Sequence, residues 1–382
     1  MTISSSSDTK PLRYRADRWI RQWVMRVIGW CAPQNGQFSP DLHSLPIKKI
    51  LLVRANFRMG NAILALPAIA GFQENFPGAT IDFVGSPMSN LLFQYQPLQR
   101  HYVAPRRFPR VLWQYPRLIR QLRANRYDLA VDVSCSQSGV GAFIVGVSGA
   151  RIRAGLSGKW DRMFNLKVPK LKAENKYAKL SELFAALGLE RGEAVGALKF
   201  SAAERLDGIN RLDTFFETKQ TKKIGVFVGA RKLRGKRWPV ENFIDVIHSL
   251  ARRGFNVVTF VGPEENDIAA PLKDSLGPAL PVICEPSARK FAAMVAHLDL
   301  FICCDSGPMH LACAVGLPVL AIFQERDVVR WAPPPSAAHP LYGSDGVSAA
   351  QVLHAALEEL ARTGSTEATP TPPSITTTAD HA

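Results

Sequence analysis

The stretch LDLFICCDSGPMHLACAVGLPVLAIF, residues 298–323, decides how the chain is read. An apolar run ends at Asp305, and Ser306 and Gly307 make a turn. Pro308 then sits at the first helical position, where its missing N–H leaves no bond unmade. Leu311, Ala312 and Cys313 continue an apolar helix, Gly316 ends it, and LPVLAIF is a second buried strand. Strand, turn, helix and strand in so few residues make a βαβ unit with a parallel sheet. Asp305 or Ser306 is placed to cap the helix. The free N–H groups at its start and the positive end of its dipole favour a phosphate or diphosphate, and His310 in the first turn is positioned to donate to the same anion.

Working outward, the same rhythm fills the second half. KKIGVFVGA, FNVVTFVGP, PVICEP and DLFICCDSG read as strands, LPVLAIFQ as the strand that closes the sheet, and VSAAQVLHAALEELART as a final helix. The first half repeats it, with KKILLVRA, ATIDFVGSP and YDLAVDVS as strands and AILALPAIAGFQENFP and VLWQYPRLIRQLRANR among the helices. The expectation is α/β: two doubly wound, Rossmann-like domains, residues 47–200 and 223–345, joined through 201–222. In such sheets ligands bind beyond the carboxyl ends of the strands, so two facing domains make a cleft.

Two further strand ends in the second half carry polar groups. In FVGPEEND, 260–267, Glu264 and Glu265 follow a strand, where a carboxylate can accept hydrogen bonds from a ribose diol; a helix start with ordinary acidic bias would look the same. In VGARKLRGKRWPVENF, 228–243, Arg231, Lys232, Arg234, Lys236 and Arg237 crowd a Gly-containing loop before Trp238 and Pro239 open a helix. Cations at that edge suit phosphates or an acidic sugar. In the first half, NFRMGNAILALPAI, 56–69, comes directly after an apolar strand. The residue after Gly60 is Asn61, an amide that takes no proton near neutral pH, where a carboxylate or hydroxyl is common in active-site turns.

Composition bounds the rest. The chain has 382 residues, 47% of them hydrophobic, and no apolar run long enough to cross a membrane. MTISSSSDTKPLRYRADRW lacks the apolar core of a signal peptide. The six cysteines have neither zinc nor disulfide spacing and read as reduced, buried thiols, with no metal and no cofactor. Lys and Arg exceed Asp and Glu by 15, which asks for an anionic partner; no nucleic-acid module is present. Residues 1–11 and 364–382 read as disordered and 346–363 as the C-terminal helix. Within 12–46, residues 12–30 form a basic amphipathic helix with Trp19, Trp23 and Trp30, and a linker comes after it. That helix either lies on an anionic membrane surface or packs its Trp stripe on the protein's own body.

CDSGPMHLACAVGLPVLAIF, GARKLRGKRWP and LLVRANFRMGNAILALPAI, in this arrangement, resemble the bacterial heptosyltransferases of glycosyltransferase family 9, over roughly residues 47–345. The resemblance implies a GT-B architecture of two facing Rossmann-like domains. It implies an inverting, metal-independent enzyme that moves heptose from an ADP-sugar donor to a lipopolysaccharide core or related phosphorylated glycan. It also implies a cytoplasmic protein, peripheral on the anionic inner face of the inner membrane. By position, Asp305, Ser306, Gly307, Pro308, Met309 and His310 would form the donor diphosphate loop, and Glu264 or Glu265 would hold the ribose. Lys236 would neutralise the leaving group. Arg58, Gly60, Arg231 and Arg234 would face the acceptor. The family carries Asp after the Gly of its first turn, and this chain carries Asn61. That leaves two readings: a working transferase in which Asn61 orients the acceptor hydroxyl and another group (Asp132 or His101 as candidates) takes the proton, or a catalytically impaired sugar-nucleotide or glycan-binding relative.

Overall fold

The computed structural model describes residues 41–106, 109–190, 195–216, 221–230 and 235–364. The expected helix at 12–30, the disordered ends, and Arg231 and Arg234 lie outside the described residues. The first domain holds β1 (Lys49–Val53), β2 (Thr80–Gly85), β3 (Arg100–Val103), β4 (Leu129–Asp132), β5 (Ile152–Leu156) and β6 (Leu166–Val168), in the order β3-β2-β1-β4-β5-β6. The second holds β7 (Lys223–Phe227), β8 (Asn256–Val261), β9 (Val282–Cys284), β10 (Leu300–Cys304), β11 (Val319–Phe323) and β12 (Ala338–Tyr342), in the order β12-β11-β10-β7-β8-β9. The paired strands run parallel; Val53 stands beside Asp132 and Cys303 beside Phe227. Strand order therefore reverses between β1 and β4 and again between β7 and β10. At such switch points successive connections leave to opposite faces and open a crevice at the strands' carboxyl ends.

The helices that cover the first sheet and line its edge are α1 (Met59–Ile63), α2 (Leu66–Asn75), α3 (Pro87–Leu92), α4 (Val111–Asn125), α5 (Gly139–Val147) and α6 (Lys176–Ala186). Then come α7 (Ala202–Asp213), α8 (Val240–Ala251), α9 (Asn266–Leu276), α10 (Ala288–Val295), α11 (Gly307–Ala314), α12 (Val328–Trp331) and α13 (Ala349–Gly364). The run expected as one helix after Gly60 is two, because Pro67 has no N–H to give and its ring crowds the preceding turn; the chain breaks at Leu64–Ala65 and restarts with Pro67 in the first turn. LPVLAIF does not close its sheet. β12 pairs with β11 outside it, and Pro340 masks this strand in the sequence pattern. Proline is tolerated there because β12 is an edge strand. Four of the cysteines are buried as expected, but Cys284, on the edge strand β9, is exposed.

The two domains share one apolar body. Phe72 and Phe184 of the first and Phe260, Phe301 and Leu311 of the second belong to a single buried cluster. The connecting segment is fastened to both. Leu198 N–H donates to the Ala314 carbonyl at 2.7 Å. Arg289 of α10 is buried and donates to the carbonyls of Leu92 (2.6 Å) and Lys199 (2.5 Å) and to both oxygens of Glu204. Glu204 in turn closes a capping box on Ser201 at the start of α7. One guanidinium thus ties α3, the connection, α7 and α10. Removing one partner of a buried, hydrogen-bonded ion pair typically costs about 3 kcal/mol. Arg289→Met is expected to lower the free energy of unfolding in urea by about that amount; a loss below roughly 0.5 kcal/mol, the level of an ordinary surface change, would show that the tie contributes little.

Candidate active site

The site grows from the residues that end the central strands. β1 runs into Arg54, and the chain turns through Ala55–Arg58 into α1. Arg58 is the extended residue before that helix, with no side-chain cap bond. Gly60 and Asn61 therefore lie in a helix's first turn, with their backbone N–H groups towards its open end. β10 runs into Asp305 and Ser306 and then α11. A side-chain cap is expected at this helix start, and there is none. The Asp305 carboxylate is occupied by the Lys236 ammonium, and the Ser306 hydroxyl is buried without a partner among the described residues. The first N–H groups of α11 therefore keep their capacity for an anion, with an unused hydroxyl beside them.

The two helix starts meet. A Cβ built on Gly60 would lie 2.8 Å from His310 Cδ2, and one built on Gly307 would lie 2.9 Å from Met59 Cε and 3.6 Å from the Gly60 nitrogen. A side chain at Gly60 would strike the His310 ring, and one at Gly307 would displace the end of Met59, so the starts of α1 and α11 approach at van der Waals distance.

Lys236 is placed by the anchor two residues along, Trp238. That side chain is 1% exposed, its indole N–H donates to the Val347 carbonyl at 2.7 Å, and its backbone N–H reaches Cys304 Sγ at 3.4 Å. These bonds pin the KRWP segment against the end of β10. The Lys236 ammonium contacts Asp305 and Asp327, the latter at 2.6 Å. Burial works against its charge, but the hydrogen bonds to these two carboxylates outweigh it and raise the pKa. Asp327 escapes the sequence reading. It lies in the loop after β11, and the position beyond a central strand is the signal available for it. Arg237 faces Glu265 at 4.0 Å and Asp267 at 3.4 Å. Of the two ribose candidates, Glu265 is buried between Gly229 and Gly262 at the ends of β7 and β8, and Glu264 is exposed.

His310 takes a different place from the one its motif suggests. It is 3% exposed, its Nδ1 is 2.7 Å from the hydroxyl of Tyr177, and its ring lies against Trp331. Tyr177 belongs to α6 of the first domain. Its neighbour Asn175 donates to the Ala332 carbonyl at 2.9 Å, and Lys176 stands over the Trp331 ring. His310 is thus an interdomain contact, held by Tyr177 of the first domain. The Met309 side chain is fully buried in the core, so it offers a ligand only its backbone.

The two alternative bases are not equivalent. Asp132 ends β4 beside β1, but its carboxylate accepts from Ser134 N–H at 3.0 Å and lies 2.5 Å from where a Gly141 Cβ would sit under α5. Burial pushes its pKa up to about 6. His101, on the outer strand β3, is 3.2 Å from the Ser89 hydroxyl and packs against Phe83 and Phe93, away from the switch point. Arg54, also absent from the sequence candidates, is buried at the end of β1 and donates to the Val133 carbonyl at 2.6 Å.

Two doubly wound six-stranded parallel sheets whose switch-point helices α1 and α11 adjoin define a GT-B glycosyltransferase architecture. The sequence profile described as glycosyltransferase family 9 (heptosyltransferase) matches residues 115–350, and the chain belongs to that family. It is 25% identical over 288 residues to lipopolysaccharide heptosyltransferase 3 of Escherichia coli, covering 72% of this chain and 83% of that protein. Among solved structures it is similar to a family 9 glycosyltransferase from Veillonella parvula (TM-score 0.72, 19% identity, 82% of this chain and 97% of that one). It is also similar to the Escherichia coli ADP-heptose lipopolysaccharide heptosyltransferase II (TM-score 0.66, 19% identity, 83% and 99%). The profile match starts at residue 115, after the Gly60–Asn61 turn.

Burial, together with the charges of Arg54 and Lys236, holds His310 neutral, with a pKa lowered from 6.5 to about 4. Between those values the unfolded chain binds a proton that the folded chain refuses. The contribution is complete above about 6.5 and is lost as the pH falls towards 4. His101 has the same sign and Asp132 the opposite one. The thermal unfolding midpoint is therefore expected to fall less on acidification through this window in His310→Asn than in the unmodified protein. Identical slopes in the two proteins would remove His310 as the responsible group.

Proposed function

We propose that the chain transfers heptose from ADP-heptose, with inversion and without a metal ion, to a lipopolysaccharide core or related phosphorylated surface glycan. It would do so at the cytoplasmic face of the membrane that carries the acceptor. The observation that carries this reading is the meeting of the α1 and α11 starts beside Lys236, at the switch points of both sheets. The names of the relatives point to the same sugar and acceptor class. On this reading the diphosphate lies at the N-terminus of α11, where backbone N–H groups, the Ser306 hydroxyl and Lys236 meet it. Asp305 and Asp327 take two of the ammonium's three hydrogens and leave one for a phosphate oxygen. Glu265, or the exposed Glu264, accepts from the ribose hydroxyls. Arg58 and Gly60 border the acceptor, joined by Arg231 and Arg234 from the basic loop.

The acceptor hydroxyl oxygen forms the new bond to the anomeric carbon as the bond to the diphosphate oxygen breaks, and ADP leaves with the electron pair. Groups preorganised around the departing charge lower the barrier most. The hydroxyl proton is not taken by Asn61, which orients the nucleophile through its amide; it passes late to a phosphate oxygen of the departing ADP. The absence of a carboxylate at Asn61 also sustains a second reading, a relative that binds donor without turnover.

The test is transfer from ADP-heptose to truncated core acceptors, with donor binding measured in parallel. Transfer by the unmodified protein and a fall of roughly 10²–10³-fold in kcat for Lys236→Ala are expected. Donor binding without transfer, with activity appearing in Asn61→Asp, would establish the second reading instead. Failure to bind any ADP-sugar would sink both.

A further inference from the structure

From Phe83 to Tyr127 the chain contains no Asp or Glu, while eight arginines and no lysine fall in the same span. α4 lies within it. One face of the helix is seated: Leu118 and Leu122 are buried, and Tyr115 packs on Phe143 of α5. The opposite face lines up Trp113, Arg117 and Arg120 at spacings of four and three, and all three are exposed. At the helix start Leu112 is 63% and Trp113 58% exposed, among the most exposed large apolar side chains described. Arg110 precedes them, also exposed. A single exposed leucine needs no explanation. An adjacent Leu–Trp pair ringed by arginines, with no carboxylate paired to Arg110, Arg117 or Arg120 among the described residues, is a different feature. Indole rings settle at the headgroup level of bilayers, and guanidinium groups there are drawn to anionic lipids.

The patch is also tied to the cleft. The Arg106 guanidinium, just upstream, lies 4.7 Å above the ring of Phe57 in the turn that leads into α1. A bilayer touching the start of α4 would present a membrane-embedded acceptor next to Arg58 and Gly60.

We propose that the N-terminal end of α4, with Leu112 and Trp113 as the apolar wedge and Arg110, Arg117 and Arg120 as the cationic collar, docks the protein on an anionic lipid bilayer, independently of residues 12–30. The proposal draws its reason for a membrane from the function proposed above, but its deciding readout, vesicle binding, is measured without sugar transfer, so either can fail alone.

The full-length chain would be co-sedimented with vesicles of phosphatidylcholine alone and of phosphatidylcholine mixed with phosphatidylglycerol. Two surface variants would be compared with it, Leu112→Ser with Trp113→Ser, and Arg117→Gln with Arg120→Gln. Binding should require phosphatidylglycerol, weaken as salt is raised, and fall about 10-fold or more in each variant, since each arginine near the surface contributes about a five-fold factor. Brominated lipid should quench the fluorescence of the unmodified protein more than that of Trp113→Phe. Unchanged vesicle binding in both variants, or no binding by the unmodified protein, would overturn the proposal. So would a loss of transfer to a lipid-free acceptor in the arginine variant, which would make the patch an acceptor contact. A change of oligomeric state in either variant without vesicles would make it a contact between copies.

Discussion

Gly60 and Gly307 stand opposite one another where the two domains meet, and every other feature of the cleft is arranged around that contact. Each lies in the first turn of the helix that leaves a central strand of its sheet. A side chain at Gly60 would strike the His310 ring, and one at Gly307 would strike Met59. Backbone meets backbone there, so the starts of α1 and α11 stand side by side. The strand order explains why: β1 and β10 each adjoin the reversal point of their sheet. The Tyr177–His310 bond and the Asn175–Ala332 bond fasten the same junction from its other side.

The electrostatics derive from that closeness. Arg54 and Lys236 are both buried near His310, and together with burial they keep the imidazole neutral. Lys236 would be costly to bury alone. Asp305 and Asp327 offset that cost and fix the direction of its ammonium, at the expense of cancelling its charge at long range. What remains positive at the start of α11 is local: helix N–H groups and one ammonium hydrogen. A diphosphate there meets donors already oriented, which suits a leaving group whose charge grows as the bond breaks.

Much of this is legible in residues 298–323, because a buried strand, a Pro at the helix start and a second buried strand admit few other folds. KRWP is legible as the end of a basic loop where Trp238 and Pro239 open a helix, but the anchoring of Trp238 by Val347 and Cys304 is visible only in the fold. The elements that escape a sequence reading are those with weak local patterns. β3 and β6 are short, β5 (Ile152–Leu156) carries Arg153 and Gly155, and β12 contains Pro340; their strand character comes from pairing with a neighbour, which a single-sequence pattern does not record. The role of Asp327 and the interdomain place of His310 are hidden for another reason. Both depend on contacts between residues far apart in sequence, Lys236 with Asp327 and Tyr177 with His310. The expected cap on α11 fails on the same ground, since Asp305 is claimed by a lysine 69 residues away.

The amide at Asn61 is less of a loss than its chemistry first suggests. A carboxylate at that point would sit in the first turn of α1, near the positive end of the dipole. That effect favours its charged form and lowers its pKa. It would be a weak base whose main service was to orient a hydroxyl and to place negative charge near a developing oxocarbenium. An amide keeps the orienting oxygen and gives up the charge. On the function proposed above, the demand on a base is also smallest when the leaving group departs early, and the α11 start with Lys236 would draw the diphosphate away. On that reading the work a base would do falls on the leaving-group side, where Lys236, Asp305 and Asp327 are already locked together.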